Sequence, residues 1–128
     1  MNIGSTASRT VLVTRDLTAE TQGSGSLPVY ATPAMVALME AAAAACVSDA
    51  LEPGQTTVGV GLDISHSAAT PLGMEVTAHA RLTQAEGRML SFDVWAEDAA
   101  GPIGKGTHRR AVVDAQRFLN KTNEKAST

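Results

Sequence analysis

The segment Thr32 to Val47, TPAMVALMEAAAAACV, constrains the fold more than any other stretch, because it carries a single charge in sixteen residues. Apolar residues occur all round a helix drawn on this segment, which marks it as a buried core helix rather than a half-exposed one. Thr32 suits the N-cap and Pro33 the first helical position, where a missing N–H costs nothing. Helix formers run to about Ala50, and Glu52-Pro53-Gly54 stops them. The many alanines allow close approach to a sheet. The run is short and Ala-rich for a membrane span.

After the helix the apolar period changes from helical to two. Val58, Val60, Leu62 and Ile64 are expected on one face of a strand, with Gly59, Gly61 and Asp63 on the other, where the glycines would admit a neighbouring backbone. Met74, Val76, Ala78, Ala80 and Leu82 form a second alternating set, and Leu90, Phe92, Val94 and Ala96 a third. IGKGTHRRAVVD closes the series. The links SAATPLG, AEGR and AAGP read as turns, so an antiparallel meander is expected. Ahead of the helix, Thr10 to Asp16 reads as a first strand and AETQGSGSLPVY as a loop. The fold class is α+β, one long helix against an antiparallel sheet of about five strands. The 128 residues suit one domain, with residues 1–8 and 120–128 expected to be loose.

Composition narrows the function. The chain is 44% apolar and 18% charged, as a globular protein is, and has only four aromatic residues, so its core must be largely aliphatic. A net charge of −3 without a basic stripe disfavours nucleic acid. The lone Cys46 excludes an intrachain disulfide and a cysteine zinc cluster, and its place near the helix end suggests a small core residue. His66, His79 and His108 lack metal-ligand spacing, so no metal is expected. MNIGSTASRT shows no apolar signal region, and a cytoplasmic protein without a membrane partner is expected.

Glu40 is the anomaly. Its helical neighbours are Val36, Ala37, Ala43 and Ala44, so no cation lies within helical reach. A carboxylate buried without a partner costs several kcal/mol or takes up a proton. Glu40 is therefore either a reactive group or a polar position on an exposed face. Thr32 reads first as a cap, though a helix N-terminus also stabilises negative charge. His66 ends a strand, where either a surface or a chemical role fits. GVG at 59–61 lies within a strand and opens no helix, so it is not a dinucleotide fingerprint, and no G-x-S-x-G elbow occurs.

Together TPAMVALMEAA, LEPGQTTVGVGLDISHSAATPLG, EGRMLSFDVWAED and IGKGTHRRAVV resemble the fluoroacetyl-CoA thioesterase branch of the hot-dog thioesterases, over roughly two thirds of the chain. The resemblance implies a hot-dog fold, with the sheet wrapped around the helix. It implies a catalytic set of Thr32, Glu40 and His66, with Gly59 and Arg110 contributing to substrate binding. It implies hydrolysis of a small or medium acyl-CoA to free acid and CoA, with CoA part of the substrate and no separate cofactor. It also implies a homodimer or a tetramer with sites at the subunit boundary. The family's phenylalanine lid is absent from TQGSGSLPVYA, where Tyr30 is the one aromatic residue, so an acyl group other than fluoroacetyl is expected. Lys105, Arg109, Arg110 and Arg88 are candidate partners of the CoA phosphates. A non-catalytic acyl-CoA-binding module, an enoyl-CoA hydratase-like enzyme and a purely structural subunit are the alternatives.

Overall fold

The computed structural model describes residues 1–127. The sheet has five antiparallel strands: β1 (Thr6–Leu12), β2 (Gln55–His66), β3 (Glu75–Glu86), β4 (Met89–Asp98) and β5 (Gly101–Asp114). Their spatial order is β1-β3-β4-β5-β2. Only β3, β4 and β5 form the expected meander. β2 crosses to the far side and pairs with β5, which leaves its other edge without a strand among the described residues. The long helix, here α2 (Thr32–Val47), follows a short α1 (Ala19–Gln22), and α3 (Ala115–Asn123) follows β5. This is the expected α+β hot-dog arrangement.

The helix lies mainly over β1 and β3 and touches β4 and β2 less. It buries Ala34, Met35, Leu38, Met39, Ala42, Ala43 and Val47. Facing them are Val76, Ala78, Ala80 and Leu82 of β3 and Leu90, Phe92, Val94 and Ala96 of β4, the two alternating sets read from the sequence. Each large aliphatic side chain buried here contributes roughly 1.5–3 kcal/mol. Small partners set the spacing: a Cβ at Gly104 would lie 2.8 Å from the sulfur of Met35. Although Thr32–Ala50 is long and apolar enough to cross a membrane, the helix serves as the core of this sheet.

Several expectations are corrected. The first strand spans Thr6–Leu12 rather than Thr10 to Asp16, and Arg15–Leu17 forms a turn of 3₁₀ helix. Thr6–Ser8 therefore belong to the sheet. Asn120–Asn123 continue α3, whose first turn is capped by Asp114, and Glu124–Ser127 are 3₁₀, where a loose end was expected. Thr128, also in that expected loose end, lies outside the described residues. Residues in the expected loop form α1, and Tyr30 N–H donates to Thr70 O at 2.9 Å, tying the segment down.

β2 does not alternate throughout. Its register with β5 slips between Gly59 and Gly61, a bulge that leaves Val60 outside the ladder. Gly59 faces the helix side, and beyond the slip so do Leu62, opposite the buried His108, and His66, opposite Gly104. Gly59 and His66 are an odd number of residues apart, so only the bulge allows them to share a face. Hence Val60 and Leu62 are not part of a buried stripe with Val58, and they stay 47% and 44% exposed.

Candidate active site

Thr32 is the first residue of α2, and the N-cap is Ala31, which makes no side-chain cap bond. The expected capping role is thus not the one Thr32 fills. Its Oγ1 lies 2.7 Å from Nδ1 of His66, at the end of β2. Burial lowers the pKa of His66 below the ordinary histidine value of 6.5, partly countered by the nearby Ala68 backbone. The ring is then neutral near pH 7, and Nδ1 can accept from the threonine hydroxyl while Nε2 carries the proton. Nε2 is itself buried without a partner. The first-turn amides of α2 lack partners within the helix, apart from Pro33, which has no N–H; they form an electropositive end beside the pair.

A cavity of about 250 Å³ opens at this pair, lined by Ala19, Ser24, Val29 and Tyr30 on one side and His66 to Ala69 on the other. Tyr30 is 2% exposed and its hydroxyl, like His66 Nε2, is buried without a partner. Its ring stands edge-on to that of His66, with centroids 6.4 Å apart. Desolvation pushes the Tyr30 pKa up to about 12, so the hydroxyl keeps its proton.

Glu40 lies eight residues along the helix from Thr32, about 12 Å by the helical rise. Among the described residues no hydrogen bond or ion pair joins it to Thr32 or His66. Its partners come from β5: Arg110 donates from Nη1 to Oε2 at 2.9 Å, and His108 Nε2 lies 3.8 Å from the same oxygen. Arg110 is buried and also donates from Nε to Thr57 Oγ1 at 2.9 Å and from Nη2 to Thr57 O at 3.0 Å. The expectation of an unpaired, water-excluded carboxylate is corrected on both counts. The cation comes from seventy positions away in sequence, and the Glu40 side chain is 40% exposed, on the helix face that also carries the exposed Ala37 and Ala41.

Gly59 sits beneath this cluster. A Cβ there would collide with Oε2 of Glu40 and approach Cε1 of His108 to 3.3 Å. What the glycine admits is a side chain, not the neighbouring backbone expected from the sequence. Arg110 is held inside by Glu40 and β2, which sets it apart from Arg109 and Lys105 on exposed positions of β5. His108 was missed as a site residue. Its inward face is shared with Arg110, two residues on, a relation the strand period alone could have revealed.

The remaining residues serve other ends. Cys46 donates to Ala80 O at 3.3 Å, a packing role, and burial raises its pKa. His79 lies on the outer face among Ser8, Glu97 and Trp95. A larger hollow of about 700 Å³ on that face is lined by Asp63, Arg81, Asp93, Trp95 and Lys105, among others, and includes none of Thr32, Glu40 or His66. Among the described residues no three His, Cys, Asp or Glu side chains converge as a metal-binding group.

Comparison with known proteins assigns the frame. The model of the fluoroacetyl-CoA-specific thioesterase family matches residues 13–116. The fluoroacetyl-CoA thioesterase of Streptantibioticus cattleyicolor is 44% identical over 97 residues, spanning 76% of this chain and 70% of that protein. The chain belongs to the fluoroacetyl-CoA-specific thioesterase family. As a member it is a thioester hydrolase. A solved threonine-to-serine mutant of the fluoroacetyl-CoA enzyme, in complex with acetyl-CoA, superposes with a TM-score of 0.92 at 36% identity, over 98% of each chain. A Thermus thermophilus protein of the thioesterase superfamily gives 0.90 at 27% identity, over 98% of this chain and 93% of that one.

Proposed function

We propose that this chain hydrolyses a short acyl-CoA thioester at the Thr32–His66 pair, and that the working form is a homodimer in which Glu40 comes from the second copy. The observation that supports hydrolysis is the Thr32–His66 contact of 2.7 Å beside a cavity, with Nε2 of the same imidazole left without a partner. Neutral His66 accepts the proton from the Thr32 hydroxyl, or from a water held by it, as the oxygen adds to the thioester carbonyl. The negative charge that develops on the carbonyl oxygen is stabilised by the electropositive end of α2. Collapse expels the thiolate, which takes its proton from the imidazolium; on the threonine route a water, giving its proton to the same imidazole, then cleaves the acyl ester, releasing the free acid and restoring the Thr32 hydroxyl. Mass analysis of rapidly quenched enzyme separates the two routes: a covalent acyl adduct on Thr32 marks the threonine as nucleophile, and its absence marks water.

The dimer follows from what the chain leaves uncovered. Among the described residues the outer edge of β2 has no strand partner, Val60 and Leu62 are exposed beside it, and Ala37 and Ala41 are exposed on the helix. An antiparallel second copy would close that edge. Along one β2 strand, seven residues separate Gly59, beneath Glu40, from His66, roughly 23 Å at the strand rise. A copy running the other way reverses this order. For a two-fold axis crossing β2 near the middle of that span, the second copy's Gly59 and Glu40 lie nearer His66 along the strand than the chain's own. There the carboxylate would orient the imidazole or the attacking water.

The acyl group must fit a cavity of about 250 Å³ with no Lys or Arg in its lining, which favours small uncharged groups. Fluoroacetyl-CoA is the first candidate by kinship. The lid segment Gly23 to Val29 lacks an aromatic side chain, which favours acceptance of other short acyl groups as well. A thiol-release assay with fluoroacetyl-, acetyl-, propionyl- and butyryl-CoA tests the proposal. Turnover of at least one substrate, reduced about a hundredfold or more in Thr32→Ala and in His66→Ala, is expected. Turnover that survives both substitutions would exclude this pair.

A further inference from the structure

A buried hydroxyl without a partner is costly, and Tyr30 carries one two residues before Thr32. Phenylalanine would fill the same space without that cost. The hydroxyl is sealed in the free protein, as is His66 Nε2. On the reading given above, the imidazole must meet the reacting atoms, so the cavity wall has to yield at Nε2 when a thioester enters. Tyr30 lines the same cavity, its ring centroid 6.4 Å from that of His66. Besides His66 and Tyr30, the cavity is lined by Ala19, Val29, Ala68 and Ala69 and by the small hydroxyl residues Ser24, Thr32 and Ser67.

We infer that Tyr30 is a specificity-determining residue whose hydroxyl donates to a neutral oxygen substituent on a short acyl chain, so that hydroxyacyl- or oxoacyl-CoA is preferred over the unsubstituted homologue. The inference rests on the proposed thioesterase site and adds the class of acyl group it takes. A carboxylate substituent does not fit, since no cation lines the cavity. A hydroxyl suits Tyr30 best because it can both accept from the phenol and donate to it. A site built to hydrogen-bond a substrate oxygen discriminates strongly against the analogue that lacks it, since the protein's own polar group is then left stranded.

The test compares hydroxyacetyl-CoA with propionyl-CoA, which differ by a hydroxyl in place of a methyl group. The two thioesters differ in intrinsic reactivity, so the decisive quantity is the change in their kcat/KM ratio between the native protein and Tyr30→Phe, in which that difference cancels. The hydroxyacetyl preference is expected to fall at least about tenfold in Tyr30→Phe. A ratio unchanged within about twofold would overturn the inference while leaving the thioesterase site intact, since propionyl-CoA turnover reports that site separately. Failure of the native protein to release thiol from hydroxyacetyl-CoA, while it turns over a member of the fluoroacetyl-, acetyl-, propionyl- and butyryl-CoA panel, would overturn this inference alone; failure on hydroxyacetyl-CoA and the whole panel would overturn both readings. Thermal unfolding guards the premise: Tyr30→Phe should melt at the native temperature or above it, and a marked drop would mean that the hydroxyl has a structural partner and no need of a ligand.

Discussion

Arg110 is the structural key to Glu40, and its replacement by methionine gives a calculable result. The guanidinium makes four polar contacts: two to Thr57, one to Glu40 and one to His108 Nε2 at 3.1 Å. Methionine fills much of the volume and removes all of them. A charge-assisted hydrogen bond contributes about 1.5–3 kcal/mol when buried. The carboxylate end is 40% exposed, so water screens it and its share falls to about 1 kcal/mol. The Thr57 end is buried, and losing its partner adds about 1–2 kcal/mol. Arg110→Met should therefore cost about 2–3 kcal/mol in urea unfolding at fixed protein concentration. A double-mutant cycle with Glu40→Gln isolates the pair. Because the amide oxygen of the substituted glutamine can still accept from Arg110, the expected coupling is about 0.5–1 kcal/mol. Strict additivity, within about 0.3 kcal/mol, would refute the claim that Arg110 holds Glu40 in place.

Three further predictions rest on individual contacts. His66 and His108 both have pKa values lowered by burial, so the unfolded chain binds protons more readily than the native one just below pH 6.5. Their contribution to stability is complete above that pH and is lost as the pH falls through the window towards their native values; urea titrations across pH 5 to 8 should show the decline, and a stability that rose on acidification there would contradict the assignment. The acidic limb of kcat/KM should likewise have its midpoint below 6.5, since His66 must be neutral to act as a base. Gly106→Ala should destabilise by about 3 kcal/mol or more, because its Cβ would strike the carbonyl oxygen of Asp63 and lie 2.8 Å from Cα of Ile64, backbone that cannot turn aside; a melting temperature within a degree of native would show that β2 and β5 can separate freely there.

The sequence disclosed the two central strands because each follows one unbroken period of two, and the helix because its helix formers carry a single charge between Pro33 and the Glu52-Pro53-Gly54 stop. The β3 and β4 sets are buried accordingly. It did not disclose the exchange of neighbours that puts β2 beside β5, since turn lengths say nothing about a strand that crosses the sheet. The slip between Gly59 and Gly61 was hidden for a related reason: VGVGLDI alternates perfectly on paper, while the folded strand changes parity within it. Glu40 was recognisable as an anomaly from its neighbours alone. Its actual partners, Arg110 and His108, lie on another strand, and helical spacing carries no information about them. Thr32, Glu40 and His66 were named as a set through family resemblance. The single chain joins two of them and holds the third about two helical turns away.

That separation gives the account its sharpest test. Thr32→Ala and Glu40→Gln, each prepared alone, should be nearly inactive. Mixed in equal amounts and allowed to exchange subunits, they form hybrid dimers in which one site joins an intact Thr32–His66 pair to an intact Glu40 from the other chain. With random pairing, roughly a quarter of the native thiol-release activity should return. If activity in the mixture stays at the level of the separate variants despite proven subunit exchange, Glu40 works within its own chain or not at all, and the shared site is contradicted.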